Sequence, residues 1–248
     1  MKNFSKINRA LVAKKKFFLF AAALIAAMTV NAVVYDLAEM NFAESDLTVT
    51  NGKISKNDSK SYFEVKNNEG ETVEMTVAQL PNIKFSYKNS AVKTAFKVYF
   101  ITEGVNAHGK IQMDGNQRDI TISNVNVGDV ITLFVNSKGD TGAQFVDGEK
   151  GTAFTGCVAV DPSAAGIATA LPGKSNETDP YEIKVQAVAS TVVIRETVGG
   201  YLLHKIQVGG EQGIDAINAD TKAVKVFENG QLVIIKNGIR YNALGAAL

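Results

Sequence analysis

Tyr62, Lys97 and Tyr99 are the residues whose types and spacing come nearest to a binding site in this sequence. Strand parity turns all three away from the core, Tyr62 with Glu64 and Lys66 and Tyr99 with Lys97. An outward tyrosine offers a flat apolar ring with a polar tip, and a lysine adds a hydrogen-bond donor. That combination suits recognition of a sugar ring without bond breaking. The competing reading is ordinary cross-strand packing on a solvent face. With no tryptophan in the chain, strong stacking on long glucan-type polymers is not expected.

Catalytic and metal chemistry has thinner support. The chain holds two histidines and one cysteine. His108 lies in the turn-like Asn106-Ala107-His108-Gly109. By strand parity His204 shares a face with Leu202, Ile206 and Val208, where a packed imidazole is expected. There is no His-Glu-x-x-His pair and no Gly-x-Ser-x-Gly elbow. Gly173-Lys174-Ser175 imitates the end of a phosphate loop, but Ala168 holds the place of its first glycine. A glycosidase pair cannot be picked out of 25 acidic residues by sequence. A lone cysteine excludes an internal disulfide and a Cys-built zinc site, and Cys157 reads as a small buried apolar residue. Oxygen-rich turns at Asp114-Gly115-Asn116, Asp129, Asp140 and Asp147-Gly148-Glu149 leave a structural calcium ion open, though none matches an EF-hand loop. No catalytic residue, metal ligand or cofactor is assigned.

The elements that must position these residues are strands. Ile83, Phe85 and Tyr87 alternate with Lys84, Ser86 and Lys88. The same period of two runs through Tyr62–Asn67, Thr72–Val77 and Tyr181–Ala187. Residues 96–101 and 130–135 are apolar on both faces, as expected near the middle of a sheet. Turn signals at Asn51-Gly52, Asn68-Glu69-Gly70 and Asp114-Gly115-Asn116 separate the runs. The expectation is an all-β, antiparallel jelly-roll sandwich over 33–212. A long loop at 161–180 interrupts it, with Pro162 placed to start a short helical turn over 163–171. A polar linker follows at 213–222. Residues 223–248, with Asn229-Gly230 and Asn237-Gly238 between apolar runs, predict a small three-strand meander tail.

The first 32 residues differ in kind. Lys2, Lys6, Arg9, Lys14, Lys15 and Lys16 precede an apolar run of about 12 residues, too short to span a bilayer, and Val30-Asn31-Ala32 ends it. This is the pattern of a secretory signal peptide cleaved after Ala32; an uncleaved N-terminal anchor is the competing reading. Removing those six cations leaves 20 against 25 carboxylates, a net charge near −5. A basic nucleic-acid surface is excluded on that balance.

Two resemblances follow from particular segments. Arg118-Asp119-Ile120-Thr121-Ile122 leading to Val127-Gly128-Asp129-Val130-Ile131-Thr132 resembles a hairpin of carbohydrate-binding-like jelly-roll domains on secreted bacterial polysaccharide-degrading proteins. Thr191-Val192-Val193-Ile194 followed by Gly199-Gly200-Tyr201-Leu202 is similar to their closing hairpin. The stretch from Ala223 through Glu228-Asn229-Gly230-Gln231 to Tyr241-Asn242-Ala243-Leu244-Gly245 resembles a type IX secretion sorting tail, without the longer Ig-like part or the basic terminus of many such tails. The resemblances imply a glycan or polysaccharide as ligand and a place outside the cell or on the outer-membrane surface of a Gram-negative bacterium.

The reading is a secreted, non-catalytic glycan-binding protein with Tyr62, Lys97 and Tyr99 in its site, with no transmembrane anchor after processing. The alternative is a structural or adhesive surface subunit that binds another protein through the 161–180 loop or an edge strand. A polysaccharide-active enzyme is the third reading. Surface proteins and the export machinery are further expected partners.

Overall fold

The computed structural model describes residues 32–140, 142–172, 179–209, 224–228, 231–236 and 239–242. The signal-peptide segment up to Asn31, the Gly173-Lys174-Ser175 motif and the 213–222 linker lie outside them. In chain order the strands are β1 Val33–Asp36, β2 Leu47–Thr50, β3 Gly52–Asn57, β4 Tyr62–Asn67, β5 Thr72–Val77 and β6 Ile83–Lys88. There follow β7 Thr94–Tyr99, β8 Lys110–Met113, β9 Arg118–Ser123, β10 Val130–Ser137, β11 Phe154–Thr155 and β12 Cys157–Ala159. The last are β13 Tyr181–Ala187, β14 Thr191–Glu196, β15 Tyr201–Val208, β16 Val224–Glu228, β17 Gln231–Lys236 and β18 Ile239–Asn242.

They form two antiparallel sheets and a third small one. The large sheet runs β12-β13-β10-β15-β8-β7-β4-β3, with β1 beside the end of β15. The smaller runs β11-β14-β9-β6-β5-β2. Only β3–β4, β5–β6, β7–β8 and β12–β13 are neighbours in sequence that share a sheet among β1 to β15; every other step changes sheet. Two open antiparallel sheets interleaved in this way make a β-sandwich of jelly-roll character. The third sheet, β16-β17-β18, pairs Glu228 with Gln231 and Lys236 with Ile239. Asn229-Gly230 and Asn237-Gly238, expected as turns, lie outside the described residues.

The period-two runs bury the residues expected of them. Ile83, Phe85 and Tyr87 point inward with Val73, Met75 and Val77, and meet Phe63, Val65, Phe96 and Val98 of the large sheet. The Phe85 and Phe96 rings meet edge-on at 6.1 Å across the sandwich. β10, covered on both sides by β13 and β15, is buried along almost its whole length.

Three expectations are corrected. The segments 118–135 and 191–208 are not hairpins: β9 and β14 lie in the small sheet, β10 and β15 in the large one. Short turns such as Val127-Gly128-Asp129 carry the chain around a corner instead of back along a neighbour. The loop at 161–172 forms successive turns, not a helix. Its backbone is captured elsewhere: Leu171 N–H donates to the Ala143 carbonyl at 2.8 Å and Phe145 N–H to the Gly166 carbonyl at 2.7 Å. Ile167 and Leu171 are buried in the core, so this half of the loop closes one end of the sandwich. Finally, β15 does not keep one parity. An irregularity opposite Phe134 and Val135 places Tyr201 and Leu203 inward, then Ile206 inward, with His204 as the extra residue between them.

Candidate functional site

The register of the large sheet brings the predicted site residues together. Tyr62 stands opposite Tyr99, and Glu64 opposite Lys97. On the other side of β7, Tyr99 faces Lys110 and Lys97 faces Gln112. All sit on the outer face, because Phe63, Val65, Phe96 and Val98 between them fill the core. Parity assigned that face correctly.

It did not foresee how the face is packed. Tyr62 is only 8% exposed. The Tyr99 ring meets it edge-on at 5.3 Å, and the Lys97 ammonium lies 5.2 Å from its centroid. The Lys110 ammonium in turn sits 5.1 Å from the Tyr99 ring. Each ring thus already carries a cation. Tyr62 is not an open stacking platform, and Tyr99 is half-buried.

Around the rings lies a fixed, largely buried array of polar groups, with Gln112 only 5% exposed. Tyr99 Oη donates to Gln112 Oε1 at 3.0 Å, and Gln112 Nε2 donates to Asp114 Oδ1 at 2.7 Å. Lys138 Nζ donates to the same carboxylate, and Lys97 Nζ stands 3.9 Å from Asp114 Oδ2. Burial would raise the Asp114 carboxyl, but Lys138, Lys97 and the Gln112 amide together hold it below its ordinary range. Burial also acts on Glu64. There the Thr94 hydroxyl, donating at 2.7 Å, and Lys66 and Lys97 outweigh it, and the carboxyl is again held low. Both acids are therefore anionic hydrogen-bond acceptors held by lysines.

Sequence reasoning missed Lys110, Gln112 and Lys138. Lys110 and Gln112 lie in the four-residue β8, whose run is too short to show a period. Asp114 lies in one of the turns left open to calcium, and its oxygens serve Gln112 and the two lysines. Asp129 Oδ2 accepts from Asn126, and Asp147 Oδ1 from the Ala153 amide at 2.7 Å. Among the described residues no three of His, Cys, Asp and Glu gather as a metal site. Cys157 is buried and burial pushes its thiol up to about 12, so it is unreactive at neutral pH. No helix among the described residues is long and apolar enough to cross a membrane.

The fold and face together define a β-sandwich with a lysine- and amide-lined outer sheet. No family model matches the chain, and neither curated proteins nor solved structures give a significant match.

Proposed function

We propose that this chain is a secreted, non-catalytic glycan-binding protein that meets its ligand on the outer face of the large sheet. The observation that carries the reading is the continuous network from Tyr99 through Gln112 and Asp114 to Lys138 and Lys97. It fixes the part-exposed Lys97 and Tyr99 and the exposed Lys138 beside aromatic rings through a buried Gln112, which suits the alternating hydroxyl and C–H faces of a sugar. Tyr62 supports this from beneath, and Lys97 and Tyr99 make the contacts. The N-terminal segment supports export with cleavage after Ala32, and the 223–248 tail supports a type IX route to the cell surface. A glycan array probed with the 33–248 chain tests the reading. Retention of particular glycans without their cleavage is expected; cleavage of the bound glycans, or silence across the array, contradicts it.

One observation favours the adhesive alternative. β12 ends the large sheet, and Val158, Val160 and Val188 around it are half exposed. An open edge with apolar flanks suits addition of a strand from another protein.

A further inference from the structure

Both histidines of the chain, far apart in sequence, line one pocket of about 310 Å³. It opens where β1 and β10 flank β15. Its polar wall is Asp36, His108, His204 and Lys205, and Phe134 and Pro180 supply an apolar floor. The volume falls in the range of small-ligand sites, and convergent polar groups over an aromatic floor are their usual lining. The bulge in β15 builds it. The extra residue at His204 restarts the parity, so that Lys205 comes opposite Phe134. The Lys205 ammonium then lies 5.3 Å from the Phe134 ring and 2.8 Å from Asp36 Oδ2.

The pocket also continues the row already described. Tyr62 pairs with Tyr99 and Tyr99 with Lys110; Ile111 pairs with Leu203, so His204 follows beside Lys110, and Phe134 pairs with both Lys205 and Glu182. At roughly 4.8 Å per strand the row from β4 to β13 crosses about 24 Å of sheet.

We propose that this pocket binds the carboxylate of a ring-bearing acid, with its ring against Pro180 and its anion on the two imidazoles and on Lys205, which the Phe134 ring holds in place. The lining favours an anion over a cation. Its one carboxylate, Asp36, already accepts from Lys205 and from the Ala38 amide, Glu182 on β13 is paired with Lys184 at 2.9 Å, and Glu39 beyond β1 does not line the pocket. The imidazole N–H groups and the Lys205 ammonium are its donors. Two sources share this chemistry: a uronic-acid unit of a polysaccharide, which rests on the glycan reading above, and a free ring acid, which does not.

The test uses the 33–248 chain and observes the Cε1–H resonances of its two imidazoles while galacturonate, galactose or benzoate is added. Galacturonate or benzoate should shift both resonances and galactose neither. His108→Gln should cost about tenfold in affinity for galacturonate or benzoate, and Lys84→Met, on the small sheet, should cost nothing. Binding of both acids, or of galacturonate alone, supports the site as one for uronic sugars; binding of benzoate alone supports it as one for free ring acids and separates it from glycan recognition. Unmoved imidazole resonances with both acids, or equal binding of galactose and galacturonate, would overturn the proposal.

Discussion

Replacing Glu196 with glutamine should make the protein more stable at neutral pH, and should flatten the fall in stability on the alkaline side. Glu196 ends β14 opposite Arg118 of β9, is fully buried, and its carboxylate oxygens have no hydrogen-bond partner. Burial pushes its carboxyl up to about 9, against the opposing pull of the Arg118 charge. Arg118 gives its own hydrogen bonds to the carbonyls of Ala95, Asn116 and Thr94 and stacks on Tyr87 at 3.9 Å, so it does not pair with the acid. The folded state therefore keeps a proton that the unfolded state releases near 4.5. A folded value above the unfolded one means full stability below the unfolded value and a loss as pH rises toward the folded one. The loss is about 3 kcal/mol by pH 7 and about 6 kcal/mol by pH 9. Glutamine keeps the shape and removes the proton. Urea unfolding at pH 5, 7 and 9 should show the variant level with wild type at the acid end and about 3 kcal/mol more stable at pH 7. A variant that loses stability at pH 7, or that follows the wild-type slope, would mean that Glu196 is ionised against Arg118, and the reasoning fails.

Other outcomes follow from the same structure. Arg118→Lys cannot reach three carbonyls at once and loses the stacked guanidinium, so it should cost about 2 kcal/mol or more in denaturant unfolding. Cys157 should resist thiol reagents in the native state and react at the rate of global unfolding, which a comparison in water and in denaturant checks. A chain ending at Gln212 should keep the melting temperature of the 33–248 chain, because β16, β17 and β18 pair only with one another among the described residues; a large drop would place the tail within the sandwich.

Alternation was legible wherever a strand has one face in the core and one in water, as β4, β5, β6 and β13 do. Connectivity was not. An Asn-Gly or Gly-Asp turn reads the same whether the chain returns along its neighbour or crosses to the other sheet, as it does at Asn51-Gly52. There Gly52 is required by the close approach of Val73 and the Lys66 carbonyl. A single extra residue at His204 reverses the face of half a strand, and nothing in its composition announces it. Pro162 points to a short helical turn, but the Ala143 carbonyl and the Phe145 amide hold that loop from a distance. On the candidate site, parity turned Tyr62, Lys97 and Tyr99 to one outer face, where the register brings them together. The covering of Tyr62 depended on Lys97 and Tyr99 choosing its ring, which only the register across β4 and β7 reveals. Tyr62→Ala is accordingly a stability change of about 3 kcal/mol or more, and is unsuited to probing binding.

The most direct measurement is therefore made with the residues that stand above it. Calorimetry would compare wild type with the Lys97→Met, Tyr99→Ala double variant, using the glycan that the array selects. The account predicts a loss of at least about tenfold in affinity with a cooperative melt retained. Undiminished affinity in a folded double variant would contradict it.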